Sequence, residues 1–304
     1  MENLIIIGAG VSGWTAAIYA GRAEIKPLMF TGLEEGGQLM LTTNVENFPG
    51  FPEGILGPTL MQNMKKQAEK FGVRVVQKSV TALNKIDGGY EVIVGKEKFQ
   101  AKSIIISTGA SARWLGLPNE KDFQGRGMHT CATCDGFFYK DKEILVIGGG
   151  DSAMEEAIFL TKFAKKVTIV HRREELKASK IMQEKAKKNP KIEFMFDSKI
   201  VELLGEPPLK KVKIENTKTG ETREVSTDGV FLAIGHIPNV EIFGNLVELD
   251  KFGFIKTDER RHTNLPGVFA AGDVQDHIYK QAVTAAGTGC QAALEAEKYL
   301  AELE

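Results

Sequence analysis

Two cysteines, Cys131 and Cys134, stand two residues apart in a CATCDG stretch. Thiols at this spacing can close a small disulfide, or they can supply half of a zinc site. A zinc site needs further ligands at short spacing, whereas Cys290 lies far downstream and His129 and His171 form no ligand box. The spacing therefore favours a redox-active dithiol over a metal site or a pair of inert buried thiols.

Asp135 directly follows the second cysteine. A carboxylic acid at this place can protonate a leaving thiolate during thiol–disulfide exchange. Aspartate is also a common N-cap of a short helix, and the two roles are compatible. We therefore predict catalytic roles for Cys131, Cys134 and Asp135.

Two glycine-rich loops predict two dinucleotide sites. Gly8-Ala9-Gly10-Val11-Ser12-Gly13 follows an apolar run and precedes an alanine-rich segment, and Gly148-Gly149-Gly150-Asp151-Ser152 repeats this pattern at an offset of 140 residues (148 − 8). Glycines in a strand–loop–helix context let backbone N–H groups approach a pyrophosphate at the helix N-terminus. Because the second loop comes soon after the cysteine pair, we expect electrons to pass from a nicotinamide, through a carrier, into the dithiol.

A basic cluster follows the strand predicted over Lys166 to Val170. His171, Arg172, Arg173 and Lys177 stand near the position where an NAD site would place an acid for the ribose. Cationic side chains there favour a 2′-phosphate, and hence NADPH over NADH. The alternative is an ordinary basic start of a helix, but such residues would oppose the helix dipole.

The order of apolar runs predicts an α/β fold with two Rossmann-like, three-layer dinucleotide-binding domains, one inserted in the other. Residues 1–113 and 245–304 would form the outer domain, and residues 114–244 would form the inserted domain with the cysteine pair. A polar loop from Thr42 to Gly50 suits hydrogen bonds to a flat heterocycle, with a long capped turn as the alternative.

Composition narrows the class of protein. The 304 residues carry a net charge of −1, and this balanced charge does not indicate a surface that binds nucleic acid or a membrane. Three cysteines form no disulfide scaffold and suit a reducing cytosol. The start of the sequence lacks the basic region of a signal peptide, and no apolar run approaches the roughly 20 residues of a membrane span. We therefore expect a cytoplasmic protein.

Taken together, the motifs resemble the low-molecular-weight thioredoxin reductases of bacterial and archaeal type, from end to end of the chain. The resemblance rests on CATCDG followed by GGGDSAMEEA, with Gly36-Gly37-Gln38 before them and Gly272-Asp273 and Tyr279-Lys280-Gln281-Ala282 after them. It implies a homodimer with one FAD per subunit, NADPH as donor and thioredoxin as acceptor. It also implies that Cys134 faces the flavin and that Cys131 attacks the partner disulfide.

The same resemblance implies the cofactor contacts. The expected FAD residues are Gly8, Gly10, Ser12, Gly13, Thr31, Gly37, Gln38, Asn47, Asp273, Gln281 and Ala282, with the rest of the segment from Thr31 to Gln38 nearby. The expected NADPH residues are Gly148, Gly150, Asp151, Ser152, His171, Arg172, Arg173 and Lys177. Two positions depart from the family pattern, since Val11 replaces a usual proline and Lys177 replaces a usual arginine. Lysine keeps the charge but loses the bidentate fork, which softens the preference for NADPH.

Other functions stay open at this point. The chain could reduce another dithiol partner, such as a glutaredoxin-like protein or a peroxiredoxin system. The larger peroxiredoxin reductases carry an extra N-terminal domain, which we do not expect because the first glycine loop stands at the start of the sequence. Ferredoxin–NADP reductases of this fold lack the cysteine pair. A non-catalytic nucleotide-binding module, with the cysteines as a structural clip, is the alternative outside enzymes.

Overall fold

The computed structural model describes residues 1–33, 35–41 and 44–303. The strands are β1 Glu2–Ile7, β2 Leu28–Phe30, β3 Asn44–Val45, β4 Ile55–Leu56, β5 Arg74–Val76, β6 Ala82–Ile86, β7 Gly89–Val94, β8 Glu97–Ile106, β9 Ala110–Ala112, β10 Met128–His129, β11 Glu143–Ile147, β12 Lys166–Val170, β13 Ile192–Met195, β14 Ser198–Leu204, β15 Lys211–Asn216, β16 Thr222–Ser226, β17 Gly229–Leu232, β18 His236–Pro238 and β19 Val268–Ala270. The α-helices are α1 Val11–Arg22, α2 Gly57–Lys70, α3 Ala132–Asp135, α4 Asp151–Leu160, α5 Lys180–Lys187 and α6 Ala282–Ala301. Short 3₁₀ turns cover Gly37–Leu41, Glu120–Phe123, Gly136–Tyr139, Glu241–Phe243 and Gly272–Val274.

The chain divides into two compact units. The outer unit comprises residues 1–111 and the chain from Ile237 onward, and the inserted unit comprises residues 112–236. The chain leaves the outer unit in β9 and returns in β18, and these two strands pair with each other. One unit is therefore inserted in the other, as the repeated glycine pattern predicts.

The outer unit is built on a seven-stranded sheet. Its order is β5-β2-β1-β8-β7-β6, with β19 also pairing with β8. The strands β5, β2, β1, β8 and β19 are parallel, whereas β6 and β7 join antiparallel to them. Because β1 lies between β2 and β8, the loop after β1 opens where the strand order reverses, which is the position of ligands in such sheets.

The inserted unit repeats this arrangement. Its five-stranded sheet has the order β10-β17-β11-β12-β13, and every pair in it is parallel. A separate antiparallel sheet, β14-β15-β16, comes after β11, β12 and β13 in the chain. The loop after β11 therefore occupies the same topological place as the loop after β1.

Alternation along β1 shows why these runs form central strands. Leu4 and Ile6 point to a core layer that contains Trp14 of α1, whereas Ile5 and Ile7 point to the opposite layer with residues such as Tyr90. All four β1 side chains are buried. Burial on both faces requires the continuous apolar run that the sequence shows, and each such side chain contributes roughly 1.5–3 kcal/mol to folding.

The predicted α/β class with two Rossmann-like domains is confirmed, while several boundaries differ. The return crossing lies at Ile237 instead of residue 245, because Phe243 and Val247 are buried in the outer unit's core. The last helix begins at Ala282, because Gln281 forms its N-cap in a capping box. Strand β14 is an element that the sequence analysis did not predict.

Candidate active site

The cysteine pair occupies a single helical turn directly after a strand. β10 pairs in parallel with β17, so the chain reaches Cys131 at the carboxyl edge of the inserted sheet. Cys131 is the N-cap of α3, and the backbone N–H of Asp135 donates to the Cys131 carbonyl at 3.2 Å. This turn brings the two cysteine Cα atoms to 5.3 Å, and the thiols form a disulfide. Both cysteines are only half-buried, so a redox partner can reach the bond.

The turn is held on the core of the inserted unit by small residues. Ala132 is buried against that core. A Cβ on Gly136 would lie 2.9 Å from Cδ2 of Leu160 in α4, so a larger residue there would have to displace the leucine side chain. The turn therefore packs on this core through its small residues, while Cys131 and Cys134 stay partly exposed.

The carboxylate of Asp135 is directed at a histidine. Its Oδ2 lies 2.9 Å from Nδ1 of His129, and the carboxyl is 18% exposed. Asp135 makes no capping hydrogen bond to the 3₁₀ turn that follows it. Asp135 therefore stands at the N-cap position of that turn without a capping hydrogen bond from its side chain, and its predicted role as an acid stays a prediction.

The dithiol and the second glycine loop open on the same edge of one sheet. Cys131 comes soon after β10, and Gly148 comes directly after β11. Both strands are parallel neighbours of β17, so they lie two strand spacings apart, or about 10 Å. The two motifs are therefore neighbours in space as well as in sequence.

The second glycine loop leaves room for a pyrophosphate. Gly150 is the N-cap of α4, and a Cβ built on it would meet nothing within 4 Å. Asp151 and Ser152 are exposed in the first turn of this helix. Open space beside the unpaired N–H groups of a helix start fits an anionic diphosphate.

Backbone hydrogen bonds tie the basic segment to this loop. The Gly149 carbonyl accepts from the N–H groups of Lys177 and Ala178 at 2.7 and 2.9 Å. Asp151 Oδ1 accepts from the backbone N–H and the hydroxyl of Ser179 at 2.8 and 2.9 Å. The carboxylate of Asp151 thus holds the end of the basic segment, and its predicted contact with NADPH stays a prediction.

Within the basic segment, His171 differs from its neighbours. Its buried ring packs against Gly149, and its Nε2–H donates to the Glu175 carbonyl at 3.1 Å. Burial lowers the pKa of His171, and the charges of Arg172 and Arg173 lower it further. At neutral pH the cationic charge therefore comes from Arg172, Arg173 and Lys177, which are exposed.

The first glycine loop is the counterpart in the outer unit. Gly8 has a φ of +109°, in the left-handed region that favours glycine, and its N–H donates to the Phe30 carbonyl at 2.8 Å. A Cβ on Gly13 would collide with the Gly8 carbonyl and lie 2.8 Å from the hydroxyl of Ser107. Gly10, like Gly150, borders open space. The loop thus leaves open space at the start of α1, as a diphosphate site requires.

The fold brings residues that are distant in sequence to this loop. A Cβ on Gly37 would lie 3.4 Å from Cα of Gly10. Ser12 is buried and packs against both Gly272 and Gly289, so Asp273 lies next to the first turn of α1. The predicted flavin residues from the two ends of the chain therefore meet at one site.

The remaining predicted flavin residues lie in other segments of the outer unit. Asn47 Nδ2 donates to the side-chain oxygen of Gln281 at 3.5 Å, and Ala282 is the first residue of α6. Thr31 is buried, with its hydroxyl on the Gly32 carbonyl at 2.9 Å, whereas Gln38 is exposed. Glu34, Thr42 and Thr43 lie outside the described residues.

Sequence reasoning missed several supporting residues. Ser107 donates to the carbonyls of Ile7 and Gly8, both at 3.0 Å, and Thr288 accepts from the Gly272 N–H at 2.9 Å. His129 and Tyr139 flank the dithiol but carry no motif. In the sequence these residues appear only as polar residues within largely apolar stretches, and that pattern does not reveal what each polar group contacts.

Asp273 provides a prediction about pH. Burial raises its pKa to about 6, and the nearby charge of Asp276 adds to the shift. The folded chain therefore holds this proton more tightly than the unfolded chain, so stability should fall as pH rises from about 4 to about 6. We expect Asp273→Asn to stabilise flavin-depleted protein at neutral pH by on the order of 2 kcal/mol, with a smaller gain at acidic pH. Urea unfolding at both pH values measures this, with exposed Asp87→Asn as control. An equal effect of Asp273→Asn at both pH values would contradict it.

Two general searches and the third cysteine complete the description. Among residues 1–33, 35–41 and 44–303, no group of three or more His, Cys, Asp or Glu side chains could hold a metal ion. The helices of that described part are all too short or too polar to cross a membrane. Cys290 lies half-buried on α6, beside Tyr19.

Comparisons with known proteins agree with this geometry. Residues 2–289 match the family described as pyridine nucleotide-disulphide oxidoreductase. The chain is 53% identical to a thioredoxin reductase of Streptomyces coelicolor, covering 100% of this chain and 95% of the relative. It is 51% identical to one of Mycolicibacterium smegmatis, covering 99% and 97%. The crystal structure of thioredoxin reductase from Streptococcus pyogenes matches with a TM-score of 0.94 at 41% identity, covering 99% of each chain.

The chain belongs to the thioredoxin reductases of the pyridine nucleotide-disulphide oxidoreductase family. The resemblance read from its motifs is therefore confirmed. Membership also confirms the prediction of an oxidoreductase that works with a flavin and a nicotinamide cofactor. The disulfide between Cys131 and Cys134 corresponds to the redox-active cysteine pair of the thioredoxin reductases.

Proposed function

We propose that the chain is an NADPH-dependent thioredoxin-disulfide reductase with FAD as its flavin. The observation that carries this proposal is the partly exposed disulfide at the edge of a sheet that also presents a glycine loop and exposed cations. The relatives that share its full length carry the name thioredoxin reductase. These facts favour an enzyme over a non-catalytic nucleotide-binding module.

The outer unit has the features that FAD requires. Gly8, Gly10 and Gly13 would hold the diphosphate at the start of α1, and Asp273 would meet the ribityl hydroxyls. Asn47, Gln281 and Ala282 would border the ring. When bound, the flavin would accept a hydride from reduced nicotinamide and pass an electron pair to a disulfide.

The inserted unit has the features that NADPH requires. The open space beside Gly150 suits the diphosphate, and Arg172, Arg173 and Lys177 suit the 2′-phosphate. Glu174 is ion-paired with Lys218 at 2.7 Å, and no ion pair engages either arginine within the part of the chain that the structure describes. The arginine guanidinium groups are therefore available for a phosphate, which they bind with charge-assisted hydrogen bonds.

Thiol–disulfide exchange would complete the reaction. In the reduced pair, the Cys131 thiolate would attack the partner disulfide, and Cys134 would then resolve the mixed disulfide. Asp135 would supply the proton that the leaving sulfur needs. The accessible position of the pair at the sheet edge supports exchange with a protein rather than with a small buried substrate.

We also propose a homodimer in the cytoplasm, with no nucleic-acid or membrane partner. The support is the family resemblance, the balanced charge and the small number of cysteines. Sedimentation of the flavin-loaded protein measures the subunit count, and a monomer at micromolar concentration would contradict the proposal.

Steady-state turnover with NADPH and NADH in parallel, with oxidised thioredoxin as acceptor, tests the proposed function. We expect a yellow protein that turns over thioredoxin with NADPH at a kcat/KM at least tenfold above that with NADH, because a phosphate contact is worth roughly 1.5–3 kcal/mol. Oxidised glutaredoxin and a peroxiredoxin serve as comparison acceptors. Faster turnover of either would assign another dithiol partner, and a colourless protein that only binds nucleotide would be a binding module.

A further inference from the structure

Two hydrogen bonds join His129 to Asp135, directly after the cysteine pair, and to Tyr139. Its Nδ1 lies 2.9 Å from Oδ2 of Asp135, and its Nε2 lies 2.6 Å from the hydroxyl oxygen of Tyr139. The imidazole is 6% exposed and stacks on Phe231 with ring centroids 5.1 Å apart. Because both nitrogens have a partner and one face is covered, the surroundings set the orientation of the ring.

We propose that His129 is a positioning residue for Asp135, and that the two side chains share the proton delivered to a leaving thiolate at neutral pH. This inference rests on the proposed thiol–disulfide exchange. It goes beyond that proposal because it assigns a role to a residue outside the CATCDG stretch.

The hydroxyl of Tyr139 accommodates both protonation states of His129. With a neutral imidazole, Nδ1–H donates to the Asp135 carboxylate and Nε2 accepts from the Tyr139 hydroxyl. With an imidazolium, Nε2–H donates to the same hydroxyl oxygen. Burial raises the pKa of Tyr139, with the charges of Asp135 and Asp228 adding to it, so the hydroxyl keeps its proton throughout the working range.

Two further charged side chains lie on the Tyr139 side of this group. Lys142 Nζ lies 5.2 Å from the centroid of the Tyr139 ring, and Asp228 is ion-paired with Lys210 at 3.0 Å. Asp135 and Tyr139 are thus the titratable groups bonded directly to His129. Nδ1 of His129 and Oδ2 of Asp135 are within hydrogen-bond distance, so a proton can pass between them, and the imidazole gives the carboxyl a second proton carrier beside the thiols.

The proposed step balances with these groups alone. The Cys131 thiolate forms a bond to one sulfur of the partner disulfide, and the partner's S–S bond breaks with its electron pair on the leaving sulfur. With His129 as an imidazolium, its Nδ1 proton passes to the Asp135 carboxylate and from there to that sulfur, which leaves a neutral imidazole with Nε2–H on the Tyr139 hydroxyl oxygen. The pair loses one proton in total, and the leaving sulfur gains one.

Two amide substitutions separate positioning from proton storage. His129→Asn places a donor near the position of Nδ1, facing Asp135, whereas His129→Gln places it near Nε2, facing Tyr139. Neither amide titrates. His262→Asn is the matched control, because His262 Nδ1 lies 2.8 Å from Asp258 in the outer unit, the same kind of contact away from the dithiol.

The measurement is the rate at which NADPH-reduced, flavin-loaded enzyme is reoxidised by oxidised thioredoxin in one turnover, between about pH 5 and pH 9. We expect both variants to be slower at neutral pH by about tenfold or more. We also expect the falling limb of the profile, where the reoxidation rate declines with rising pH, to lie more than about one pH unit lower than in the wild type. At about pH 5 we expect His129→Asn to recover the wild-type rate, and His129→Gln to stay slower because Asp135 has lost its donor. Flavin reduction by NADPH and the His262→Asn profile should match the wild type.

Outcomes that overturn the inference are distinct from those that overturn the proposed function. The role of His129 would be overturned if, in both variants, the reoxidation rate declined with rising pH at the same pH as in the wild type. This holds whether the rate of the variants is lower than that of the wild type at every pH or unchanged. If His129→Asn lost its flavin, the position of the limb in His129→Gln would decide. A wild-type enzyme that fails to reduce thioredoxin at any pH would instead overturn the proposed function.

Discussion

Replacing Cys134 with serine is expected to lower turnover of thioredoxin by more than about a thousandfold, because the variant cannot form the dithiol that carries the electrons. Replacing Cys131 should have an equal effect, since it removes the sulfur that attacks the partner. Flavin reduction by NADPH should remain within about twofold of the wild-type rate, because the two glycine loops do not depend on either sulfur. Steady-state turnover and rapid-mixing absorbance of the flavin measure the two effects separately.

Cys290→Ser is the matched control for these variants. Cys290 is half-buried on α6 of the outer unit and has no disulfide partner among the described residues. We expect normal turnover from it, because its thiol takes no part in the exchange. Normal turnover in Cys134→Ser or Cys131→Ser would contradict the assignment of the redox pair.

Changing both Arg172 and Arg173 to alanine is expected to raise the KM for NADPH by roughly 10- to 150-fold and to leave the KM for NADH nearly unchanged. A charge-assisted contact to phosphate is worth roughly 1.5–3 kcal/mol, and NADH lacks the 2′-phosphate. The residual preference should come from Lys177, whose backbone is fixed to Gly149. Steady-state kinetics with each nucleotide at saturating thioredoxin measures the change.

A double variant of equal charge controls for the loss of positive field. Lys185 and Lys187 are exposed in the last turn of α5, in the same unit. Their replacement by alanine should shift both KM values by less than about threefold, because long-range fields of exposed charges are screened by salt. An equal rise for NADPH and NADH in the arginine variant would show that Arg172 and Arg173 are only a solvated surface.

Much of the fold follows from local pattern. The run Leu4 to Ile7 is apolar at every position because both faces of β1 are buried, and the same holds for Ile144 to Ile147 in β11. The glycine loops after both strands announce the turn and the helix that follow. Less visible is β14, whose alternation is interrupted by a register shift between Ile200 and Glu202. The return crossing was also misplaced, because nothing local shows that Phe243 belongs to the outer core.

The candidate site was predictable where chemistry requires particular residue types at particular spacing. The cysteines, the glycines and the exposed arginines are of this kind. Partners that depend on three-dimensional contact were not, since Ser107 reaches Gly8 across 99 positions and Gln281 reaches Asn47 across 234. His171 is a different case. It stands in the cationic cluster, but burial lowers its pKa and its ring packs against Gly149, while its predicted contact with NADPH stays a prediction.

Electron counting tests the central claim, that electrons from NADPH reach thioredoxin through Cys131 and Cys134. Limiting NADPH is added without oxygen to flavin-loaded enzyme and excess oxidised thioredoxin, and new thioredoxin thiols are counted. We predict about two thiols per NADPH, because the hydride carries two electrons. A second sample is reduced and alkylated at the pair before the assay, and there NADPH should still reduce the flavin while no thioredoxin thiols form. Thioredoxin thiols appearing at an undiminished rate from the alkylated enzyme would contradict the claim.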